Sequence, residues 1–211
     1  MDEIYRARLD ALAETWRAWG ELGESLTDAQ WSTATRCAGW DVAAVYAHHS
    51  GFPLAMSTPP PVLDGPAEQP LTAAEILRRF NSAGGVAHSM AGTVADAAVT
   101  DAAARSRREL VERFVVHGPR VLHRLGEAQA SLVVPWPASG GVTTLVEALR
   151  IVLMEATVHL LDVQRALGYP PVVPVRALED TARLLADLAP AVEFIEAATG
   201  RSADSPLPVL R

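Results

Sequence analysis

The 211 residues are nearly half apolar and only 6% aromatic, and they carry a net charge of −7. That is enough chain for one sizeable core, and the alanine- and leucine-rich, aromatic-poor composition favours helices over strands. The acidic balance, with no basic run, argues against nucleic acid as the main partner.

All 18 basic residues are arginine, a codon signature of a GC-rich bacterial genome. Cys37 is the single cysteine, so no intrachain disulfide can form, and nothing points to an oxidising compartment. The N-terminal MDEIYRARLDALAETW is charged and amphipathic and lacks the apolar run of a signal peptide. No window reaches the ~18 to 20 apolar residues of a membrane span, so a soluble, cytoplasmic protein is expected.

The first predicted helix covers residues 3 to 22. Tyr5, Leu9, Leu12, Trp16 and Trp19 alternate in steps of four and three, one helical stripe, and Gly23 is the expected stop. Thr27 and Gln30 fit a capping box for a short turn of helix before Trp31. A second helix is expected from about Asp41, its N-cap, with Gly51 and Pro53 ending it. A proline-rich connection follows over residues 53 to 70.

Thr72 and Glu75 form another capping box, with Leu71 and Ile76 placed as a hydrophobic staple. The helix they open is predicted to reach about residue 95, weakened at Gly84-Gly85. A further helix over 103 to 128 should kink at Gly118-Pro119. VVPWPASGG reads as a loop with a short β-like entry at 131 to 134. Thr144 and Glu147 make a third T-x-x-E signature before a helix over 145 to 167, which Gly168 stops. A last helix spans 175 to 198 with a kink at Pro190, then a loose tail. Long helices joined by loops, with no repeat and no sustained alternation, predict an all-α bundle. Leucines on the outer faces of the last two helices make a homodimer an expectation.

The helix over 145 to 167 carries the chemistry. At ~100° per residue, with Glu155 at zero, His159 lies at about 40° and Asp162 at about −20°. Ala148, Ile151, Val152 and Ala166 share that sector, so three polar groups interrupt an apolar stripe. Arg150, Thr157, Gln164 and Arg165 fall on the expected wet face. A buried carboxylate costs several kcal/mol unless it is paired, protonated or bound to a metal. Glutamate at i and histidine at i+4 put two good ligands on one side of a helix, and an open zinc site needs a third from elsewhere. His48 lies on what should be the inward stripe of the second helix, above Phe52, while His49 lies ~100° round and should point elsewhere. Periodicity does not settle that choice. E-x-x-x-H is also met in plain hydrogen-bonded pairs.

WSTATRCAGWDVAAVYAHHSG resembles the tryptophan, cysteine, Gly-Trp and histidine pattern near the start of mycothiol-dependent maleylpyruvate isomerase-like proteins, members of the DinB-like superfamily of metal-binding four-helix bundles. EATVHLLDVQRALG is similar to the same family's late-helix motif. The resemblance covers about 35 residues in the expected order. It implies a DinB-like four-helix bundle with additional short helices over residues 1–200 and a C-terminal tail over 201–211. It also implies that a divalent metal, zinc by preference, is held by His48, Glu155 and His159. The Gly-Trp-to-His spacing of the motif selects His48 over His49.

Asp162 would then orient an imidazole or close the site; its other reading is a cap or an ion pair with an arginine. Trp31 and Trp40 are expected to pack the loop. Cys37 fits the family pattern, with a buried small residue as its expected role and a reactive thiol as the other. The implied function is a thiol-dependent, mycothiol-type transferase or isomerase acting on a small electrophile, with Arg36 holding a substrate carboxylate. A non-catalytic metal-binding stress or regulatory module is the alternative. The isomerases carry a further C-terminal α/β domain; the roughly 40 residues after Gly168 read as one helix and a tail, so that domain is expected to be absent, which weighs against the isomerase reaction.

Overall fold

The computed structural model describes residues 2–59, 69–136, 141–202 and 204–210. Helix α1 (Asp2–Ser25) buries Tyr5, Leu12, Trp16 and Trp19, and leaves Leu9 at the core's edge. It does not stop at Gly23. A Cβ there would collide with the Tyr46 hydroxyl and come 2.8 Å from Val111 Cγ2, so this glycine lets Tyr46 pass close to the backbone rather than ending the helix. The Thr27 capping box opens α2 (Asp28–Trp31), and the Asp41 side chain caps α3 (Val42–Ala55) by accepting from the Ala44 amide at 2.9 Å. Pro53 sits inside α3 instead of ending it. In the final turn a missing N–H costs the helix one bond.

The Thr72–Glu75 capping box starts α4 (Ala73–Phe80), which ends well short of residue 95. Gly84 takes φ +81, a value that breaks the helix and that glycine adopts without strain. The chain restarts as α5 (Val86–Ser89) and α6 (Ala91–Ala104). A capping box at Ser106 and Glu109 opens α7 (Arg107–Glu112), which leads through a π-helical turn at Arg113–His117 into α8 (Gly118–Glu127). The expected kink is this wide turn: the Gly118 amide reaches back five residues to the Arg113 carbonyl just before Pro119, which has no amide to donate.

Strands β1 (Val133–Trp136) and β2 (Gly141–Thr144) pair antiparallel, from Val133 opposite Thr144 to Trp136 opposite Gly141. The strand begins two residues later than the expected entry at 131 to 134, and Leu71 adds a bridge to Thr143 on the far side of β2. Residues 60–68 of the proline-rich connection and 137–140 of the VVPWPASGG loop lie outside the described residues.

Helix α9 (Leu145–Ala166) follows, and Gly168 at φ +70 closes it. Thr144 precedes it without a side-chain cap. Glu147 is drawn away: one carboxylate oxygen accepts from Arg8 at 3.2 Å, the other from the Ala73 amide at 2.8 Å, capping α4 instead. The last helical stretch is broken at Ala189-Pro190 into α10 (Val175–Leu188) and α11 (Ala191–Ala198).

Helices α1, α3, α7–α8 and α9 form the four-helix bundle; α10 packs on α1 and α9, and α6 on α3. The fold is all-α with one small hairpin, and no helix among the described residues is long and apolar enough to cross a membrane. Helix α9 is packed on most sides, and its expected wet face holds only in part: Arg165 is exposed and Arg150 half-buried. Thr157 and Gln164 are buried, and each is satisfied locally: Thr157 donates to the Leu153 carbonyl, and Gln164 makes two bonds with the Val172 backbone. Of the leucines on α10, Leu184, Leu185 and Leu188 pack inward and Leu178 stays exposed. In the tail, Leu210 packs against the cluster around Ile76 and Leu184.

Candidate metal centre

Residues Glu155 and His159, one turn apart on α9, face His48 on α3. The Glu155 Oε2 atom lies 3.4 Å from His159 Nε2 and 3.9 Å from His48 Nε2. One ligand atom from each of the three falls within 4.8 Å of the others. The two imidazoles meet edge to face, with centroids 5.2 Å apart. Both sit at partly open positions of a largely buried helix: the side chains of Glu155 and His159 are 27% and 16% exposed. The sequence placed them inside an apolar stripe; the structure places them at the gap in that stripe, where α9 meets α3.

Asp162, 5% exposed, supports the site from the other side. It accepts from His159 Nδ1 at 3.0 Å, which leaves Nε2 as the nitrogen turned to Glu155. Arg36 Nε donates to its Oδ1 at 2.5 Å and the Cys37 thiol to its Oδ2 at 3.3 Å. Asp162 thus bonds the His159 imidazole and pairs with Arg36, so the contacts of both sequence readings are present together. Cys37 is half-buried rather than core, and it forms a second group of donor atoms with His159 and Asp162. Trp31 packs on Tyr46 as expected, but Trp40 does more than fill the loop: its ring lies against His48, centroids 5.0 Å apart, and against His159 at 6.1 Å. Nothing in the spacing of residues 36 to 40 announced these contacts, because they depend on where the loop meets a helix about 120 residues away.

The electrostatics follow from this packing. Burial would raise the Glu155 carboxyl, but hydrogen bonds and charge from His159 and His48 hold it far below the ordinary carboxylate range. Burial would lower the His159 imidazole, yet its bonds to Asp162, Cys37 and Glu155 raise it well above the ordinary value. Asp162, pushed up by burial, is pulled below its usual range by His159 and Arg36.

His49 is turned the opposite way, as expected. It is fully buried, packs against Trp19, Phe52 and Phe114, and neither ring nitrogen has a partner among the described residues. Burial, with the nearby His159, drives its pKa well below the ordinary value. The unfolded chain, titrating near 6.5, takes up that proton first. Stability contributed by neutral His49 is therefore lost as pH falls below about 6.5. Thermal unfolding in chelator should show a fall in midpoint from pH ~6.5 to ~5 that is shallower in His49→Phe; equal slopes would count against this account.

The donor set fits a divalent cation. Two imidazoles and a carboxylate suit zinc, and two ligands ~2.0–2.1 Å from a tetrahedral ion sit about 3.4 Å apart, close to the spacings found here. The hydrogen bond from His159 Nδ1 to a carboxylate is the support such ligands have.

The model of one protein family, the mycothiol maleylpyruvate isomerase N-terminal domain, matches residues 12–164, a span that holds His48, Glu155, His159 and Asp162. No curated protein and no solved structure matches the chain.

Proposed function

The chain belongs to the mycothiol maleylpyruvate isomerase N-terminal domain family, within the DinB-like superfamily, and from that premise we propose that His48, Glu155 and His159 hold a divalent cation, zinc by preference, at which a small thiol such as mycothiol reacts with an electrophile. The observation that carries this reading is the convergence of the three donors from α3 and α9 within 4.8 Å.

The arrangement of Asp162, Cys37 and His49 supports a fourth position open to a ligand. Asp162 lies on the Nδ1 side of His159, engaged by Arg36 and Cys37, and His49 faces the core. An open position is the mark of a catalytic rather than a structural site. A divalent ion held there by His48, Glu155 and His159 would supply Lewis acidity and favour the thiolate form of a bound thiol. The chain's own residues do the rest. Asp162 fixes the ring of His159. Trp40 covers the imidazoles and shields them from water. Arg36 spends its Nε on Asp162, but its side chain is 58% exposed, so the remaining guanidinium edge is free for a substrate carboxylate.

The test is spectroscopic. Cobalt-substituted protein should develop a sulfur-to-metal charge-transfer band on addition of mycothiol, and His159→Ala should not. A cobalt spectrum that mycothiol leaves unchanged would remove the thiol chemistry and leave a non-catalytic metal-binding module.

A further inference from the structure

Beside the metal centre, a cleft of about 490 Å³ opens between the connection from α2 to α3 and helix α6. Its size falls in the range of small-molecule sites. Trp40, Thr35 and Asp41 line one side, Ala44 its base, and Val99 and Ala102 of α6 the other. The cleft and the metal centre share the Trp40 indole, which packs on His48 and His159.

The lining selects by charge. No basic side chain contributes to it among the described residues, and its one charged group is the Asp41 carboxylate. Two of the lining polar side chains are already engaged: Asp41 Oδ1 caps the Ala44 amide, and the Thr35 hydroxyl donates to the Trp40 carbonyl at 2.9 Å. What remains is the Trp40 side chain opposed by alanine and valine methyl groups, with the Ser32 hydroxyl beside them, and there an anion meets like charge and no basic group. A flat, uncharged group loses nothing on entering and stacks on the indole.

We propose that this cleft binds the uncharged, apolar portion of the electrophile, with Trp40 as the wall between that portion and the reacting end. The proposal rests on the metal-and-thiol reading for what happens at the reacting end, but binding in the cleft is measurable without turnover. The probes are 4-fluoroacetophenone, neutral, and 4-fluorobenzoate, its anionic counterpart of similar shape, followed by fluorine NMR against the full chain with and without zinc. The neutral probe should bind, and the benzoate at least tenfold more weakly. Val99→Trp, at a position 47% exposed, and Ala103→Phe, on the same wall, fill the cleft from the surface, and each should weaken the neutral probe at least tenfold with metal content unchanged. Absence of neutral binding, equal binding of the two probes, or indifference to both fillings would overturn the proposal. Metal content and the cobalt–mycothiol band on the same samples report separately: their failure with cleft binding intact removes the metal reading and leaves the cleft.

Discussion

Protein purified without chelator is expected to carry about one equivalent of divalent metal, and the double variant Glu155→Ala, His159→Ala less than about a tenth of that. The size of the effect follows from the donor count. On the proposed assignment three side chains would hold the ion, two of them one turn apart on α9, and removing that pair leaves His48 on α3 as the one proposed ligand. One imidazole is no site for a divalent ion at micromolar metal. Asp162→Asn gives the graded companion. The ring of His159 keeps a neighbour for Nδ1, but loses the charge that Arg36 and Cys37 also engage, so affinity should fall roughly 10- to 100-fold with stoichiometry recoverable at excess metal. His49→Phe is the control that should retain the metal, since that ring faces Trp19 and Phe114. Elemental analysis and competition with a chromophoric chelator measure all three, and circular dichroism checks that each variant is folded. Metal-free wild-type protein, or a double variant with a full equivalent, would break the assignment.

The late pair was legible because helical geometry alone brings residues i and i+4 together, and α9 is one uninterrupted helix. The early histidine was less so. The stretch VAAVYAHHSGFPLA is apolar on almost every face, so α3 offers no wet side against which to judge which histidine turns inward. Periodicity put His48 on the inward stripe without settling the choice, and the motif's spacing selected it. The contacts of Arg36, Cys37 and Trp40 were out of reach, since they arise where an irregular loop meets a helix about 120 residues later. The misread faces share one cause. Thr157 and Gln164 look solvent-facing as residue types, yet each finds a backbone partner within eight residues and can be buried without an open polar group. Gly23 and Pro53 look like helix ends for the same local reason. What decides them lies elsewhere: the Tyr46 hydroxyl in one case, and closeness to the end of α3 in the other.

Trp19→Ala is expected to destabilise the fold by about 4 kcal/mol or more, while Trp19→Phe costs about 1 to 2. Trp19 is fully buried on α1, and its ring stacks on Phe114, meets Tyr46 edge-on and packs beside His49. Truncation to alanine removes all three contacts and leaves a cavity where α1, α3, the π-helical turn and α9 meet. Its Nε1 also donates to the Ala156 carbonyl at 3.0 Å; inside α9 that carbonyl keeps its helical donor, the Leu160 amide, so losing the indole bond adds roughly 0.5 to 1.5 kcal/mol. Against the ~5 to 15 kcal/mol that holds a typical domain together, this single truncation brings the chain close to unfolding. The phenylalanine variant separates the two contributions, because it keeps a ring on Phe114 and loses only the hydrogen bond and part of the volume. Ala156 follows Glu155 directly, so the same bond also steadies the carboxylate of the metal centre. Urea unfolding should rank wild type, Trp19→Phe and Trp19→Ala in that order, and metal affinity should follow the same ranking. If the alanine variant unfolds within ~0.5 kcal/mol of wild type, below the scale of a core truncation, then this ring does not anchor α9 and the centre must be held in place by α3 and the Asp162 contacts instead.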